Sequence, residues 1–174
     1  MNKNVVIACG LQKAYLHPQG TKYFGEKSDI MRVRIKDYLK SLDFSQNILY
    51  LLREIHQTND NFFSNTVTHS IVGTKDTEIP EEIKPYVKIV VDVTRYSGFY
   101  KTLLESELHK IKPKNIYLLG FETHTLILFT AEELRNRGYK VTLLEPLIAS
   151  EDDYLHAMGI TLMKNFLAVD IKQE

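Results

Sequence analysis

The chain is poor in features that would commit it to an extreme environment. It holds one cysteine, Cys9, which rules out an internal disulfide. Its N-terminal stretch MNKNVVIAC enters a strand directly and lacks the apolar core and cleavage site of a secretion signal. A cytoplasmic protein is therefore expected. Net charge is missing too. Lys plus Arg number 22 and Asp plus Glu number 22. No overall field steers such a chain toward nucleic acid or an anionic membrane, and neither is expected as a partner. Long apolar runs are absent; NVVIA and IYLLGF have strand length and cannot cross a bilayer. No repeat, low-complexity tract or Gly/Ser linker divides the 174 residues, so one domain over 1–174 is expected.

What is present is a regular alternation of apolar runs and helical stripes. Apolar runs at 4–9, 47–55, 87–93, 115–120, 140–145 and 166–171 read as six strands. Ser28 reads as the cap of a helix whose stripe is Met31, Ile35, Tyr38, Leu39 and Leu42. A second helix is expected over YKTLLESELHK. In a third, Ile127, Ala131 and Leu134 share one face, and Gly138 stands where a terminating glycine belongs. Ser150 reads as the cap of a fourth, with Leu155, Met158 and Leu162 facing inward. Residues 56–86, with Gly73, Pro80 and Pro85, read as a long functional loop. Continuous apolar strands separated by helices predict a three-layer α/β/α, Rossmann-like doubly wound fold. Its six-stranded, mainly parallel sheet is covered on both faces, with a ligand crevice at the strands' carboxyl ends.

Four blocks carry a family likeness: VVIACGLQKAYL, THSIVGT (68–74), TRYSGF (94–99) and GFETHTL (120–126). In order and spacing they resemble the signature blocks of the isochorismatase-like cysteine hydrolases, which include nicotinamidases. The resemblance implies a thiolate nucleophile at a helix start, assisted by an aspartate and a lysine. It also implies a non-proline cis peptide between Phe121 and Glu122. Transferred position by position, the aspartate falls on Gly10, the lysine on Val93 and the cysteine on Leu126. None of these can act as acid, base or nucleophile. The resemblance thus implies a catalytically degenerate member, kept for small-ligand binding or for assembly. A homo-oligomer is expected by analogy.

Other residues keep chemistry open. In the nicotinamidase branch an Asp-x-His pair and a later histidine bind a divalent metal; the matching positions here are Glu54, His56 and His69. A carboxylate and two imidazoles suit zinc with one open position, and Asp60 is a further oxygen donor nearby in sequence. Such a site would support an altered, metal-assisted hydrolysis of a small amide, with Glu122 or Asp92 as base and His124 beside them. The opposing reading makes the histidines hydrogen-bonded loop residues, with no cofactor at all. Tyr15, Tyr96, Phe99, Phe121, Glu122 and Thr123 are expected to line the pocket. Cys9 is the one thiol available for redox or nucleophilic work, but its strand position turns it away from residue 10.

Overall fold

In the computed structural model, residues 3–63 and 68–173 are described. One sheet holds β1 (Asn4–Cys9), β2 (Asn47–Glu54), β3 (Ile89–Val93), β4 (Ile116–Phe121), β5 (Val141–Ala149) and β6 (Asp170–Lys172). Their order across the sheet is β3-β2-β1-β4-β5-β6, and every adjacent pair is parallel. The winding reverses between β1 and β4, so a crevice opens there at the carboxyl ends.

Alternation along the strands supplies both halves of the core. Val5, Ile7, Cys9, Tyr50 and Leu52 point into one apolar layer, which also takes Leu104, Leu108, Ile127, Ala131 and Leu134 from α3 (Leu104–Ile111) and the helix after β4. Val6, Ala8, Leu49 and Leu51 point into the other, which takes Met31, Ile35 and Leu39 from α2 (Glu26–Ser41). A four-residue helix α1 (Lys13–Leu16), which no sequence pattern announced, adds Ala14, Tyr15 and Leu16 to that second layer.

The helix after β4 opens as a π-helical turn, Thr123–Ile127, and continues as α4 (Leu128–Asn136). Its end follows the expected glycine signal. Gly138 has φ +80°, its N–H donates to the Arg135 carbonyl, and the Tyr139 N–H donates to that of Leu134. The peptide between Phe121 and Glu122 is cis, as the resemblance implied.

Several boundaries differ from expectation. Gly25, not Ser28, precedes α2; Ser28 lies inside the first turn and its Oγ accepts from the Phe24 N–H at 2.9 Å. Asp152, not Ser150, caps α5 (Asp153–Asn165), accepting from the Leu155 N–H at 2.8 Å. The buried residues of α5 are Gly159 and Met163, while Met158 is exposed. Strand β5 runs four residues past its expected end, and the stretch that holds Pro146 lies at a register shift opposite Leu118 and Gly120 of β4. Strand β6 is shorter than expected and begins later. Within 56–86, short 3₁₀ turns occur at Asn61–Phe63, Lys75–Thr77 and Lys84–Tyr86, and His56 makes an isolated bridge to Ile71.

Candidate functional site

The ends of β1, β2 and β4 bring the marked residues together. Gln12, fully buried just after β1, is the tie. Its Nε2 donates to the Glu54 carbonyl and to Ser70 Oγ, both at 2.9 Å, and its Oε1 accepts from the Glu54 N–H at 2.8 Å. One side chain thereby joins the end of β2 to the loop that carries His69.

Glu54, His56 and His69 are all buried, and their ligand-type atoms lie within 4.8 Å of one another. The Tyr15 hydroxyl donates to Glu54 Oε2 at 2.7 Å, and His69 Nε2 lies 3.0 Å from the same oxygen. Burial pushes the Glu54 carboxyl up, but the hydrogen bonds and charge of His69, with Tyr15, outweigh it and leave the group below its usual range. Burial holds His56 below the usual imidazole range. Its ring stands 4.2 Å from that of Phe63 and 5.2 Å from that of His69, centroid to centroid. Among the described residues neither ring nitrogen of His56 has a hydrogen-bond partner. A buried imidazole without partners loses its hydration for nothing unless something else meets it.

The three positions on which the resemblance places the aspartate, lysine and cysteine are closed. Val93 and Leu126 are fully buried in the same apolar layer. Gly10 has φ +63°, and a Cβ built there would meet the Phe121 carbonyl oxygen at 3.0 Å and the Tyr15 ring at 3.1 Å. Tyr15 itself stacks on Phe121, ring centroids 5.2 Å apart and planes 9° apart. Cys9 is fully buried in the layer of Val93 and Leu126. Burial, and then the Glu54 charge, push its thiol far above the ordinary range, away from the reactive thiolate.

A cleft of about 260 Å³ remains, bordered by Lys22, His69, Tyr96, Glu122, His124, Thr125, Glu151, Asp152 and Leu155. Of the expected lining residues, Tyr96 and Glu122 border it. Tyr15, Phe121 and Thr123 are fully buried and do not. Phe99 borders an adjoining aromatic groove with Phe62, Tyr100 and Phe129. Glu122 is 7% exposed and sits 3.3 Å from Lys22 Nζ. Thr123 is held by the turn: its N–H donates to Ser150 Oγ at 3.0 Å and its Oγ1 lies 2.8 Å from His156 Nδ1. His124 Nδ1 lies 3.0 Å from Ser150 Oγ.

Two proposed helpers are engaged elsewhere. Asp92 faces outward in a two-pronged pair with Arg53 at 2.7 and 2.9 Å, and so stands away from the cleft. Asp60 accepts from Arg95 at 2.6 Å and from the Phe62 N–H at 3.0 Å. Sequence reasoning missed Lys22, Thr125 and Leu155 as cleft residues. Lys22 comes from an irregular segment whose position only the folded chain decides, and no pattern marks it.

An all-parallel sheet wound 3-2-1-4-5-6, with polar groups gathered at its reversal point, defines a doubly wound α/β protein. The Isochorismatase domain family model matches residues 4–174, and the chain belongs to the isochorismatase family. It is 31% identical over 80 residues to the isochorismatase family protein YaaI of Bacillus subtilis, a match spanning 46% of this chain and 44% of that relative. The crystal structure of nicotinamidase PncA from Bacillus subtilis superposes with a TM-score of 0.87 at 20% identity, covering 99% of this chain and 100% of that one. A pyrazinamidase of Pyrococcus horikoshii in complex with zinc superposes with a TM-score of 0.83 at 20% identity, covering 99% of each chain. These two structures share the fold.

Proposed function

We propose that this chain is a catalytically degenerate isochorismatase-like protein that binds a small molecule at its cleft without thiol-based hydrolysis. The observation that carries this reading is the filling of the three family positions. Val93 and Leu126 are sealed in hydrocarbon, and the space beside Gly10 is taken by Tyr15. No side chain there can form an acyl intermediate or move its proton. Incubation with nicotinamide, pyrazinamide and a small panel of amides and esters is expected to release no acid above background. Turnover that co-purifies with the protein through two columns would overturn the reading.

The Glu54, His56 and His69 cluster favours a second reading, a hydrolase of altered mechanism. The donor set fits a divalent metal such as zinc: one carboxylate and two imidazoles, with the His56 ring nitrogens lacking a hydrogen-bond partner among the described residues. Glu54, His56 and His69 would hold such a metal, and it would supply Lewis acidity there when bound. The chain's own part would be to hold the donors through Gln12 and Tyr15, with Glu122 as the nearby carboxylate. Elemental analysis of protein purified without a metal-affinity tag separates the readings. About one equivalent, lost in His56→Ala and accompanied by turnover, supports the second reading; metal below about a tenth of an equivalent removes it.

A further inference from the structure

The cleft is small and unevenly charged. At about 260 Å³ it lies below the range of drug-sized pockets, and suits one ring with a single substituent. Its borders carry three carboxylates, Glu122, Glu151 and Asp152, against one ammonium, Lys22, and two imidazoles, His69 and His124. Glu122 is the innermost of them at 7% exposure, and a buried carboxylate needs a counter-cation. Lys22 supplies it at 3.3 Å, looser than the ~2.7–2.9 Å of a tight charge-assisted bond. It does so from a long, flexible stem, so the pairing is easily exchanged.

Two further observations point to a ligand. Thr125 Oγ1 is buried at the cleft and has no hydrogen-bond partner among the described residues. The Tyr96 ring forms another border, and its phenol is held above the usual range by burial and then by the charges of Glu54 and Glu122. The carboxylates of Glu54 and Glu122 thus act on an aromatic ring at the cleft border, a group suited to a cation.

We infer that the cleft selects a small organic cation, an amidinium or primary ammonium carried on a single ring, with Glu122 as its counter-charge and Lys22 as the group it displaces. A turn of the Thr125 side chain brings its Oγ1 to accept one of the ligand's N–H groups, and Tyr96 and Leu155 border its ring. This rests on the reading of the cleft as a small-ligand site, and it names the class of ligand.

Calorimetric titration of the metal-free, chelator-treated protein with benzamidine, benzamide and benzoate tests it, since the three differ little in shape but carry positive, zero and negative charge. Benzamidine is expected to bind at least tenfold more tightly than benzamide, and benzoate most weakly. Glu122→Gln is expected to erase that preference while retaining benzamide binding. Lys22→Met is expected to tighten benzamidine severalfold by freeing the carboxylate, whereas a purely structural ion pair would predict weaker binding. Benzamide or benzoate binding as tightly as benzamidine would overturn the cation assignment and leave ligand binding standing. Binding of none of the three would remove the ligand-binding reading together with it. If Glu122→Gln fails to fold, the wild-type series and Lys22→Met still decide.

Discussion

At the scale of single residues, Gly10 controls what the crevice can hold. Its left-handed φ of +63° and the 3.0 Å approach of the Phe121 oxygen to a notional Cβ act in the same direction. Gly10→Ala should therefore destabilise the fold by roughly 2 kcal/mol, read from the urea midpoint. A Tyr15→Ala background should recover only the part due to the ring contact at 3.1 Å, and leave the parts due to φ and to the Phe121 oxygen. An unchanged midpoint in Gly10→Ala would mean that the position is roomier than described. The candidate cluster was partly legible at this scale. Residues two apart near a strand end share a face, so Glu54 and His56 fall together by geometry. His69 joined them through the family blocks, with Gln12 as the physical tie. Lys22 and Thr125 were invisible, because a cleft border assembled from separate loops leaves no periodic trace.

Among the elements, α5 shows how a correct helix can be given the wrong face. A pattern reader looks for large apolar residues and picks Met158 and Leu162. The fold instead turns Gly159 inward, where an added Cβ would approach the Thr123 oxygen and the His124 Cα at 3.2 Å. Close helix-to-turn packing selected a glycine, and hydropathy gives no warning of that. The α4 stripe and Gly138 were legible because Ala131 and Leu134 are buried by bulk apolar contact and the stop signal is local. The misplaced cap yields a prediction. Asp152→Ala should lower stability by about 1 kcal/mol through the lost Leu155 N–H bond. Ser150→Ala should act differently, by stranding the buried Thr123 N–H in the turn. Amide hydrogen exchange separates the two: faster exchange should begin at the first turn of α5 in one variant and at Thr123 in the other.

For the whole molecule, pH and association are the accessible readouts. Burial, and then the Lys27 charge, lower the pKa of His156 in the folded chain. The unfolded chain then binds this proton first as pH falls. The histidine's contribution is complete above its unfolded pKa of about 6.5 and is lost as pH drops from there toward the folded value. Stability should fall with acidification across that window, and His156→Asn should flatten the slope; equal slopes would exclude the histidine as the cause. On α5 Tyr154 is 74% exposed and Met158 is exposed as well, and just past its end Phe166 is 78% exposed. We propose that these exposed apolar side chains take part in the expected homo-oligomer. Light scattering should give at least twice the single-chain mass, and the double variant Tyr154→Glu, Phe166→Glu should reduce it to one chain; a wild-type monomer would sink the idea. The arrangement at the sheet's reversal point also governs order. Shrinking Tyr15 first removes one of the contacts that oppose a side chain at residue 10, so two orders of substitution with the same endpoint are not equivalent. One path passes through folded intermediates and the other through strained ones, and a library that changes residue 10 first should be depleted of soluble members.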